Sequence, residues 1–363
     1  METLYSYLLY LFVFSSSIFF CYQYDKKRRI GKAKVLYMVL TIVPVILLQG
    51  LRYNVGTDYQ SYLSLYNGFS NNNNLYLSWY ESEPLFIYLC KALYSLTFGN
   101  QSALFMFDAI VMGIFSFLTF DYYKEKVDMP ILYLFYYGTC LPYFFNVERQ
   151  GVAVVLVWYS MHFAQEKKFI KFLLCIITAT LFHNTAIIGI VFYVIWHIAE
   201  RKSVYIKCVL FFIAILAPVI FSISVDFLSL YIPIFSKYTK FLTETGDQRV
   251  NINFVFFMIM LLIMIKLQKF IDKEDKFYIV LLSIMCCMTF LLNEYIAWGF
   301  RMSFYFEISL MIGYGHIYNK LNYQSNKRIL CLFLVVVMMF YFTYKFWIQG
   351  NSEIFPYQSV LFK

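Results

Sequence analysis

The chain has 363 residues, 61% of them hydrophobic and only 14% charged. About a quarter of an ordinary soluble domain is charged, so that class is excluded. The net charge of +9 is carried by small basic clusters between apolar runs, which is the pattern of cytoplasmic loops and not of a nucleic-acid-binding face.

In chain order, the apolar runs predict membrane-spanning helices over 3–22, 34–51, 102–120, 130–146, 149–165, 169–184, 185–199, 204–222, 252–268, 277–293, 297–318 and 329–347. These runs do not alternate as barrel strands would. The fold class is therefore an all-α polytopic membrane protein with about twelve spans, and 1–363 reads as a single integral membrane domain. The basic cluster Asp25–Arg29 follows the first run and no basic stretch precedes it, so the first helix inserts with its N-terminus outside. Alternation then places both termini outside and most lysines inside. The segment 84–98 is short and interrupted by Lys91. It is expected as an interfacial helix within an outer loop, 52–101. A second outer loop spans 223–251, and a hairpin tip falls near His183. The eight cysteines are scattered without a C-x-x-C pair, so neither a disulfide framework nor a metal site is expected.

Half of the arginines fall on the outer side, against few of the lysines. Arg52, Arg149 and Arg301 stand at the ends of spans, where they oppose the topology rule. A guanidinium is a planar fork of donors suited to phosphate oxygens. Around Arg52 the sequence is "LRYNVGTDYQSYLSLY". Gly56 permits a turn, Thr57 or Asp58 can cap a helix, and Tyr59, Tyr62 and Tyr66 share one helical face. This reads either as a snorkelling arginine with an interfacial aromatic belt, or as a charged pair beneath an aromatic platform for a sugar. "YESEPLF" reads as a helix start, with Pro84 in the first turn and Glu81 and Glu83 near the positive end. In "FNVERQGVAVVLVW", Glu148 and Arg149 lie at an outer turn, and Gly151 and Ala153 allow another helix to approach closely. His183 in "LFHNTAII" is a core residue or a proton-transfer group, since imidazole titrates near neutrality. His162, His197 and His316 read as structural. In "RMSFYFEISL", Arg301 and Tyr305 are four apart, on one helix face.

Taken in series, "LRYNVGTDYQSY", "SEPLF", "ERQGVA", "LFHNTAII", "RMSFYF" and "FPY" resemble the EpsG family of polysaccharide-synthesis membrane proteins, within the wider group of Wzy-type polymerases. The resemblance implies a glycosyltransferase-C-like helical fold at the outer face of a bacterial plasma membrane. Its implied substrates are undecaprenyl-diphosphate-linked oligosaccharide repeats, with the growing chain leaving its lipid diphosphate for the next repeat. No cofactor and no metal are implied. Membrane lipid, a chain-length regulator and a flippase are the further partners expected, and no nucleic acid. On this reading Arg52, Arg149 and Arg301 bind the diphosphate, and Asp58, Glu148 and His183 are the candidate acceptor base. Asp58 or His183 is favoured, because Glu148 is placed to orient Arg149. Tyr59, Tyr62 and Tyr305 are the candidate sugar-packing rings.

Two rival functions share parts of this pattern. An O-antigen ligase, or another lipid-linked glycosyltransferase, would use the same donor with a different acceptor. A transporter for the lipid-linked oligosaccharide would need ionisable groups through mid-membrane, where Asp108 and Glu307 are the exceptions in this chain.

Overall fold

The computed structural model describes residues 2–29, 35–71, 77, 80–199, 252–272, 275–295 and 299–362. The expected span 204–222 and the outer loop 223–251 lie outside these. Among the described residues every regular element is helical, and one isolated antiparallel bridge joins Arg52 to Ser359. The chain divides into two compact units, Met1–Ile190 with Leu321–Lys363, and Val191–Lys320.

The first unit opens with α1 (Glu2–Arg29) and α2 (Val35–Gly50), followed by α3 (Tyr59–Ser70) and α4 (Pro84–Leu96). Next come α5 (Ser102–Tyr122), α6 (Met129–Phe135), α7 (Leu141–Phe144), α8 (Glu148–Gln165) and α9 (Phe169–Phe182). The expected straight span 130–146 is thus two helices joined by a π-helical turn, Tyr136–Cys140, with Pro142 just beyond it. Helix α8 is the centre of the unit and is buried along most of its length. Gly151 gives the close approach expected of it: a Cβ there would lie 2.7 Å from the Met112 sulfur of α5.

Among the described residues, three helices are long and apolar enough to cross a membrane, Glu2–Arg28, Ser102–Tyr122 and Gln324–Ile348, and six shorter apolar helices accompany them. The last long one is α14 (Gln324–Phe342), continued by the π-helical Thr343–Ile348. Ile329, Leu332, Val336, Met339 and Phe340 are exposed along it. Their spacing makes one outward apolar stripe, a surface that hydrocarbon and not water accommodates.

Helix α5 links two polar clusters. Near its start Phe105 lies against Arg52, with the guanidinium carbon 4.6 Å from the ring centroid. Near its end Asp121 accepts from the Tyr24 hydroxyl at 2.9 Å and pairs with Lys124 at 2.8 Å. Sixteen residues at a rise of about 1.5 Å separate the clusters by roughly 24 Å, somewhat less than the roughly 30 Å of a bilayer core. Arg28 joins the second cluster through Asp25 and Glu125.

In the second unit lie α10 (Ile190–Ala199), α11 (Ile252–Lys266), α12 (Phe277–Tyr295) and α13 (Ile308–Lys320). Two expected spans do not start as α-helices. The run 185–199 begins with the 3-10 helix Asn184–Gly189 before α10, and the run 297–318 begins with the 3-10 helix Gly299–Phe306 before α13. Continuous apolar composition hides such a change of hydrogen-bond period. Its consequence is that Arg301 and Tyr305 do not share a face, because at three residues per turn positions four apart diverge by about 120°.

Candidate functional site

Residues Leu51–Asp58 carry the chain out of α2 into α3. Gly56 has φ +101°, and a Cβ on it would stand 2.6 Å from Asn146 Oδ1 and 2.9 Å from the Phe145 carbonyl. Only glycine meets both demands, and the tight turn presses Arg52 against the start of α8. Asp58 occupies the N-cap position of α3 but makes no side-chain cap; its carboxylate accepts from the Thr57 hydroxyl at 3.4 Å.

Arg52 is completely buried. Its guanidinium pairs with Glu148, itself completely buried, and lies between the rings of Phe105 at 4.6 Å and Phe145 at 4.9 Å. Burying this charge is tolerable because a carboxylate partner and two aromatic faces replace water. Asp108 of α5, also completely buried, stands within electrostatic range of Glu148 and both arginines. Segment 352–360 closes over the turn. Tyr53 N–H donates to the Gln358 carbonyl at 2.9 Å, Val360 N–H to the Leu51 carbonyl at 2.9 Å, and the Tyr357 hydroxyl to the Leu48 carbonyl at 2.9 Å. Asn146 Nδ2 donates to the Ser352 carbonyl at 3.0 Å.

Arg149, next along α8, turns to a different partner. It pairs with Glu83 at the N-terminus of α4, while Tyr80, Phe86 and Tyr62 surround its guanidinium at 4.5, 5.3 and 5.9 Å. The same Glu83 carboxylate receives His183 Nδ1 at 2.7 Å on its other oxygen. His183 reaches it because α9 ends at Phe182 and the backbone goes extended, φ −155°. Asn184 adds a bond from Nδ2 to the Ser82 hydroxyl at 2.7 Å. Burial alone would raise the Glu83 carboxyl, but Arg149 and the His183 contacts outweigh it and hold Glu83 below the usual glutamate range. The side chains of His183 and Arg149 are 22% and 15% exposed, against 6% for Glu83, so these two are the accessible members.

The structure therefore gathers Arg52, Glu148, Arg149 and His183, four residues singled out from sequence, at one end of α8. The chain belongs to the EpsG family. A family model matches residues 34–359, a span that holds Arg52, Glu83, Glu148, Arg149 and His183. This is the family of Wzy-type polysaccharide polymerase-like membrane proteins, and membership carries a general role in polysaccharide polymerisation. No curated protein and no solved structure matches the chain.

In this EpsG-family chain the tyrosines expected to pack on sugar lie inside the fold. Tyr59 and Tyr62 do share a face of α3 with Tyr66, but that face turns inward. The Tyr59 ring stacks on Phe105 at 4.6 Å, and Tyr62 packs edge-on to Phe86. Burial raises the Tyr62 hydroxyl, against the opposing pull of Arg149. Tyr305 is likewise completely buried. All three expected sugar-packing rings are covered, and Tyr59 and Tyr62 wall in the two arginines. Arg52, expected to bind the diphosphate, has no exposed surface. Arg301 and Tyr305 belong to the second unit. Glu83 was missed as a site residue. Pro84 in the first helical turn accounts for "SEPLF" locally, and the partners of Glu83 lie 66 and 100 positions away.

Proposed function

We propose that this chain is a polymerase that moves a growing glycan from undecaprenyl diphosphate onto the next undecaprenyl-diphosphate-linked repeat, at the outer face of a bacterial plasma membrane. The observation that carries the reading is one carboxylate, Glu83, shared between a guanidinium and an imidazole. In the reaction, an acceptor hydroxyl forms a bond to the anomeric carbon of the donor sugar and the bond to the lipid diphosphate breaks. Two charges must be met. Glu83 holds the Nδ1–H of His183, which leaves Nε2 as the acceptor for the hydroxyl proton. Arg149, fixed by the same carboxylate, faces the negative charge that develops on the departing diphosphate. Arg52 and Glu148 hold the start of α8 in place and act as positioning residues. The twelve-span layout, with this end of α8 outside, belongs to the same reading.

Reconstitution with a synthetic undecaprenyl-diphosphate repeat tests it. Wild type gives a ladder of polymer lengths. Glu83→Gln and Arg149→Lys each lower the rate by about a hundredfold or more, the scale of losing an electrostatic transition-state contact, while the protein stays monodisperse. Wild-type ladders from both variants would refute the assignment. A Thr57→Cys variant labelled by an impermeant thiol reagent from the cytoplasmic side alone would overturn the outer placement.

A further inference from the structure

The second unit holds a cluster that the polymerase reading does not use. Asp272 and Asp275 precede α12, with the Asp275 N–H donating to the Asp272 carbonyl at 3.0 Å. Helix α13 brings His316 and, one turn later, Lys320 against it. His316 Nε2 lies 3.3 Å from Asp272 Oδ2, and Nδ1 lies 3.2 Å from Asp275 Oδ2. His316 is completely buried and neither ring nitrogen makes a properly aligned hydrogen bond. A buried imidazole left in that state costs free energy, and an ion or water commonly accounts for such a group.

We propose that Asp272, Asp275 and His316 bind a divalent first-row transition cation such as Mn²⁺ or Zn²⁺. Their ligand atoms all lie within 4.8 Å of one another. Two ligands each about 2.2 Å from one ion stand at most roughly 4.4 Å apart, so a small rotation of the Asp272 side chain closes the set. Asp272 is half exposed, which supplies both the freedom to rotate and the way in. The imidazole beside two carboxylates favours a first-row transition cation over Mg²⁺ or Ca²⁺, which are held by oxygen ligands. This departs from the sequence expectation of no metal and of a structural His316. Lys320 Nζ sits 3.2 Å from Asp272 Oδ2, where it competes with the ion for that carboxylate.

The lysine separates the proposal from a plain ion-pair cluster. The full chain is purified in detergent, stripped with chelator and titrated with Mn²⁺, following the electron paramagnetic resonance signal of the free ion, with Zn²⁺ as competitor. The expected result is one Mn²⁺ per chain, weakened about tenfold or more in His316→Gln and Asp275→Asn and tightened in Lys320→Met. Asp272→Asn, altering a half-exposed side chain, keeps the comparison available if a buried substitution prevents folding. The proposal is overturned if wild type and Lys320→Met retain no more Mn²⁺ than Asp272→Asn. It is equally overturned if Lys320→Met lowers thermal stability without gaining affinity.

Discussion

Arg52→Met is the substitution whose cost the structure states most fully. Arg52 and Glu148 are both at 0% side-chain exposure, so removing the guanidinium leaves a carboxylate in the interior with no countercharge. Breaking one side of such a pair costs about 3–5 kcal/mol. The contacts with Phe105 and Phe145 add about 0.5–2 kcal/mol each. Arg52→Lys keeps the charge but loses the planar stacking, so it should fall between Arg52→Met and wild type. The double variant Arg52→Met/Glu148→Leu removes the orphaned carboxylate and should be more stable than Arg52→Met alone. Reversible unfolding in mixed micelles, read as a double-mutant cycle, measures this. Additive single losses, with no coupling between the two positions, would show that the pair does not hold the start of α8.

Gly56→Ala forces a Cβ to within 2.6 Å of Asn146 Oδ1 at φ +101°, so a loss of roughly 1–3 kcal/mol is expected, visible as a lower melting temperature. Glu83 has a depressed carboxyl. Its stabilising contribution is therefore complete above the ordinary glutamate range and fades as pH falls through its lower folded value. The stability gap between wild type and Glu83→Gln should be flat from neutral pH down to about 5 and shrink below about 4; a gap that closes already near pH 6 would count against the assigned partners. Tyr62→Phe keeps the ring beside Arg149 and should leave the polymer ladder near wild type, whereas Tyr62→Ala opens the wall and should shorten it.

Much of the first unit could be read along the chain. The run 102–120 is α5 within two residues at either end, because a long apolar stretch without breakers has one solution in a membrane. Gly56 and Gly151 were legible for the same reason: each demand is local, a turn or a close helix. The π-helical turn at Tyr136–Cys140 and the 3-10 start at Gly299 were not, since neither changes composition. At the site, arginines out of keeping with their surroundings pointed to Arg52 and Arg149, but sequence gave no hint that one is shut in and the other accessible. That difference depends on which carboxylate each finds, and Glu148 and Glu83 are 96 and 66 positions distant.

Segment 352–360 also fixes when the fold can be completed. Its bonds to Leu48 and Leu51 span 309 and 308 positions, so the pocket around Arg52 stays unsealed until nearly the whole sequence has been synthesised. A chain that stopped short of this segment would leave that buried charge without its cover.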